Sequence, residues 1–166
     1  PAALWETVLF PARVRDYRGA VLDEILSCGE FFWRMGRDGN LEFHTFEELD
    51  WDVEFDRSEE LADEEERAVY RALVKRGASF LQSLAGFAKE RSPFDILMEL
   101  AKKGLVCADS FQPVRQWLKQ DAMKKSPAKQ RVSARVKAMN AGRWDVVRPL
   151  GRQSMDQLLD RAFDRA

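Results

Sequence analysis

The chain has 166 residues, with 27 Lys+Arg against 28 Asp+Glu and 45% hydrophobic residues, which is the composition of an ordinary globular protein. No run of about 18 apolar residues occurs, and the N-terminal PAALWETVLFPARV lacks both a basic start and a long apolar stretch, so neither a membrane span nor a signal peptide is expected, and a soluble, cytoplasmic protein is. Cys28 and Cys107 have no CxxC spacing and His44 is the single histidine, which argues against a zinc site or a disulfide framework; no metal ligands are assigned.

In chain order, Trp5 to Phe10 reads as a short strand closed by Pro11. Asp16 is the expected cap of a helix carrying Val21, Leu22, Ile25 and Leu26, with Gly29 as its left-handed stop. FFWRM (31–35) and LEFHTF (41–46) flank Asp38-Gly39, a tight-turn signal, and predict a β-hairpin. Helix followed by hairpin is the back half of a winged helix. From Glu47 to Glu66 there are twelve acidic residues and one basic one, Arg57, with Leu49, Trp51, Val53 and Phe55 in strict alternation, which predicts an edge strand or extended connector. Ser58 or Asp63 then caps a helix to about Arg76 that bears Val69, Ala72 and Leu73 and ends at Gly77.

A second short helix is expected over 79–90, with Phe80, Leu81, Leu84 and Phe87 on one side, and a third over SPFDILMELAKKG (92–104), with Ser92 as cap, Pro93 at its first position and Phe94, Leu97, Leu100 and Ala101 buried. A strand in LVCADS (105–110) follows, then a helix in FQPVRQWLK (111–119), a long connection (122–143) and a strand in RWDVVRPL (143–150). Three helices followed by a strand open a second winged helix, with the long connection as an outsized wing. The closing RQSMDQLLDRAFDRA reads as a helix that opens a new unit, so a piece of a longer polypeptide is expected. The fold class is therefore α+β, in tandem winged-helix-like modules: residues 1–55, then 56–150 with the basic connection 115–143, then 151–166 as the start of a further helical unit.

Between Arg115 and Arg148 stand ten cations opposed only by Asp121 and Asp145, a net eight positive charges in 34 residues. Such a run neutralises phosphates and releases counterions. Candidate nucleic-acid contacts are Arg115, Lys119, Lys124, Lys125, Lys129, Arg131, Arg135, Lys137 and Arg143, with Trp117 as a base-stacking candidate. The competing account is a solvated segment that balances, or docks on, the acidic block 47–66. The third helix presents Asp95 and Glu99, which phosphate would repel, so its expected role is structural. Trp33 and Trp144 are assigned to packing. Glu64-Glu65-Glu66 and Asp160/Asp164 read as solvated charges and His44 as a strand residue, which leaves no catalytic assignment.

Several stretches resemble the C-terminal part of the large helicase-related (Lhr) family of superfamily 2 DNA helicases. They are Phe10-Pro11-Ala12-Arg13-Val14, Tyr17, Leu22-Asp23-Glu24-Ile25-Leu26, Ser27-Cys28-Gly29-Glu30 and Trp33; then Arg76 to Phe80; then Leu100, Gly104, Val106, Asp109, Phe111, Pro113 and Arg115; and finally Gly142-Arg143-Trp144. The resemblance runs in the family's order along nearly the whole chain. It implies tandem winged helices lying after the motor domains of a DNA-repair helicase, similar in part to a bacterial DNA glycosylase family with stacked winged helices. The chain has no GxxxxGK[ST] and no DExH run, so ATP and Mg2+ are expected of the full-length protein and no cofactor of this chain. The implied partners are DNA, single- or double-stranded, and other modules of the same polypeptide, with no membrane. The implied function is to bind DNA or brace its path. The alternative is a protein-interaction or assembly module that uses the acidic block 47–66 and exposed aromatics.

Overall fold

The computed structural model of the protein describes residues 1–36, 40–123 and 142–151. The strand expected over Trp5 to Phe10 is helical instead: Ala2–Leu4 (α1) runs through a π-helical turn, Trp5–Leu9, into Phe10–Arg13 (α2). Pro11 lies in the first turn of α2, where its missing N–H costs nothing. The helical spacing gathers Trp5 and Phe10 against Phe43, at ring-centroid distances of 4.9 and 5.6 Å, and the Trp5 indole N–H donates to the Leu41 carbonyl at 3.1 Å.

The next helix, α3 (Gly19–Ser27), has Arg18 at its N-cap position and no side-chain cap. Asp16, the expected cap, lies earlier in the turn at φ 53°, and that turn is tied down by Tyr17, whose hydroxyl donates to Glu6 at 2.7 Å. Gly29, at φ 77°, ends the unit as expected. β1 (Phe31–Met35) and β2 (Leu41–Thr45) pair antiparallel in the register Phe31↔Thr45 to Met35↔Leu41. Asp38-Gly39 falls outside the described residues, but the Gly36 N–H donates to the Asn40 carbonyl at 2.8 Å and closes the hairpin.

The alternating segment forms no strand. Leu49 alone bridges to Leu150, Trp51 and Val53 are exposed, and the segment is a connector between 3-10 turns at Phe46–Glu48 and Ser58–Glu60. Asp63 then caps α4 (Glu64–Arg76) by accepting the Glu66 N–H at 2.9 Å. The helix expected over 79–90 is broken into β3 (Ser79–Phe80), α5 (Leu81–Leu84) and a 3-10 turn, Ala85–Phe87. Strand alternation buries Ser79 and turns Phe80 outward, so Phe80 is exposed rather than packed. α6 (Pro93–Lys102), β4 (Val106–Ala108), α7 (Gln112–Met123) and β5 (Arg143–Val146) follow.

β5 is the middle strand of a three-stranded antiparallel sheet, β3-β5-β4, with Ser79↔Trp144 on one side and Val106↔Val146 on the other. A first strand between the first two helices and a returning pair after the third is the winged-helix arrangement, and the fold is α+β. The hairpin and this sheet meet in the core: Trp33 and Trp144, both fully buried, pack edge-on at 6.3 Å, and the Trp33 indole donates to the Ser110 carbonyl at 3.0 Å. Two acids expected to be solvated are built into the structure. The Glu65 carboxylate accepts the N–H groups of Lys89, Glu90 and Arg91, and Glu66, 4% exposed, pairs with Lys103. No helix among the described residues is long and apolar enough to cross a membrane.

Candidate nucleic-acid interface

A cleft of about 600 Å³ opens where the end of β1, the turn after α6, the connector near Arg57 and the chain leaving β5 converge. Among the described residues its lining contains four cations, Arg34, Arg57, Lys103 and Arg148, and no carboxylate. Three of these cations are aimed by acids set outside the lining. Arg34 pairs with Glu42, directly opposite it across the hairpin, at 2.9 Å. Arg57 makes a two-pronged pair with Glu60 at 2.7 and 2.6 Å, and Lys103 pairs with buried Glu66. The fourth cation, Arg148, places its guanidinium over Phe55 at 3.9 Å and Trp51 at 4.9 Å.

Local geometry holds these walls together. Gly104 stands at φ 70°, and a Cβ there would come within 2.8 Å of the Met35 carbonyl, so only glycine lets the α6 turn lie against the hairpin. The Asp50 N–H donates to Pro149 and the Gly151 N–H to Glu48, both at 2.8 Å, fastening the Trp51 segment beside Arg148. Partial burial works against the Glu42 charge, but hydrogen bonds from Arg34 and His44 with their nearby charges outweigh it, and the carboxyl is held below its usual range. The hydrogen bond to Glu60 likewise raises Arg57, so that pair stays ionised.

The residues expected as contacts from the sequence separate into three groups. Lys124, Lys125, Lys129, Arg131, Arg135 and Lys137 lie outside the described residues, and Lys119 is exposed on α7. Arg143 is exposed at the sheet margin, with its Nε and backbone N–H both on Asp109. Arg115 is instead locked into the fold. It forks onto Glu6 with two bonds of 2.7 Å and bonds Asp23 at 2.6 Å and the Gly19 carbonyl at 2.8 Å, which leaves it as a brace between α7 and the N-terminal helices. Trp117 is half-buried, packed against the core beneath Lys102 at 5.3 Å.

Sequence reasoning missed Arg34, Arg57 and Lys103 as one group because they come from three segments. The one local signal was Arg57, the lone cation of the acidic block. A second cavity, about 190 Å³, lies between α3, the hairpin and the β4/β5 pair; at its wall burial pushes the Cys107 thiol up to about 12, and Cys107 is therefore inert at neutral pH.

Residues 1–46 match the winged-helix domain of large helicase-related proteins. Over 137 residues, 77% of this chain, the sequence is 33% identical to an Lhr helicase/probable uracil glycosylase of Mycolicibacterium smegmatis. Over 151 residues, 81% of the chain, it is 29% identical to an Lhr helicase/uracil glycosylase of Escherichia coli. In each case the match spans 9% of the relative's length.

Proposed function

The chain belongs to the large helicase-related family, as a winged-helix region of it, and we propose that it holds DNA along its path through an Lhr-type ATP-dependent repair helicase. ATP and Mg2+ would act in motor domains elsewhere in the polypeptide. The observation that carries this proposal is the cleft, where cations from four separate segments face one space with no carboxylate among its described lining residues. Such a surface is the electrostatic footprint of a phosphate backbone. Three of the cations are already held by acid partners, so a phosphate would meet positioned donors rather than free side chains. In this proposal the basic residues Lys119, Lys124, Lys125, Lys129, Arg131, Arg135, Lys137 and Arg143 supply further phosphate contacts. Arg115 is left out, its donors being used within the fold.

The test is an anisotropy titration of labelled DNA at several salt concentrations. Replacing Arg57, Lys103 and Arg148 together by Gln should weaken binding to all sequences about equally and reduce the slope of log K against log salt by roughly 0.7–0.9 for each phosphate no longer neutralised. Removing Lys124, Lys125, Lys129 and Arg131 together tests the connection in the same way. Unchanged affinity and slope in both variants would overturn the proposal and favour the assembly-module alternative built on the acidic block.

A further inference from the structure

All five tryptophans lie in the described residues, and Trp51 alone is exposed, at 59%. Indole has much to gain from burial, so an exposed one fixed at the edge of a cleft needs an explanation. Trp51 is fixed: Leu49 bridges to Leu150, the Asp50 N–H donates to Pro149, and Arg148, which lines the cleft, lies 4.9 Å from the indole centroid. One side chain thus joins the cation-lined space to the aromatic surface.

Acids gather on the outer side of this rim. The cleft lining is cationic, whereas Asp50, Asp52 and Glu54 alternate with Trp51 and Val53 outside it. The Asp50 carboxylate is turned onto its own loop, where it accepts the Asp52 N–H at 3.1 Å. A neutral base can lie on the indole beside these acids, but a phosphate cannot without repulsion. One phosphate chain therefore fits inside the cleft with its bases outward on the rim, and the second chain of a duplex would run along the acidic side.

We propose that Trp51 is a base-stacking platform and that the cleft takes an unpaired DNA strand, its phosphates toward Arg57, Lys103 and Arg148 and a base on the indole. The proposal rests on the nucleic-acid function proposed above and adds the strand state. It also moves the stacking role from Trp117 to Trp51.

The 166-residue chain is titrated with labelled oligothymidylate and with a duplex of equal length. The unmodified chain should bind the single strand more tightly. W51A should lose about 5- to 150-fold on the single strand, as one stacked base does, with the salt slope and the weaker duplex binding unchanged. W51F should keep most of the affinity, and R148Q should lower both affinity and slope. Because Trp51 is exposed, W51A should melt with the unmodified chain, which separates a missing stacking partner from a damaged fold. Duplex preference, or a W51A effect that is absent or equal on both probes, overturns the Trp51 platform while the DNA function stands. Binding to neither probe overturns both.

Discussion

Arg115 illustrates how a cation inside a basic stretch can be closed to phosphate. Its guanidinium gathers Glu6, Asp23 and the Gly19 carbonyl, and Tyr17 completes the cluster by donating to Glu6. The carboxylates are only about a fifth exposed, so Arg115→Ala would leave two poorly hydrated charges unpaired; the expected loss is about 2–4 kcal/mol by denaturant titration. Burial works against the Glu6 charge, yet hydrogen bonds from Arg115 and Tyr17 and the neighbouring positive charge prevail, and its carboxyl is held below the usual value. A depressed carboxyl contributes stability that is fully present above its unfolded value and is lost as the pH falls through the folded one. Thermal melts should therefore lose stability as the pH falls below the usual carboxylate range, and Arg115→Ala should flatten that loss. The sequence could not disclose this cluster: Glu6 and Asp23 lie 109 and 92 positions from Arg115, and only the fold brings them together.

At the level of elements, legibility followed locality. The hairpin, the Asp63 cap, Pro93 at the head of α6 and the glycines ending α3, α4 and α6 are each written within a few residues, and each is found in place. The N-terminal segment departs from its expected strand because a short apolar run fits both periods, and what decides between them is the aromatic cluster with Phe43 on β2. β3 escapes notice because two residues are too few to set a period, and they are a strand only because β5 pairs with them. In α6 the helical stripe identifies the core correctly. Leu97 is fully buried, and Leu97→Ala should cost about 2–5 kcal/mol in a urea titration, since the closely packed surroundings can collapse only partly into the space.

Across the whole molecule, the family resemblance and the α+β winged-helix class were legible, but the cleft was not. Its cations are spread from Arg34 to Arg148, and no window of sequence sees them as neighbours. The same long-range closure governs the sheet. Its middle strand, β5, is the last of the three in the chain, arriving after α7, while β3 and β4 pair with it and not with each other. During synthesis this leaves an interval in which both flanking strands have left the ribosome with open edges, and Trp33 still lacks Trp144 as its neighbour. Open strand edges are templates for pairing with other chains. A nascent chain stalled just before Arg143 should therefore be cut readily by added protease within β3 and β4 and be prone to self-association, and release of four more residues, through Val146, should protect those two strands.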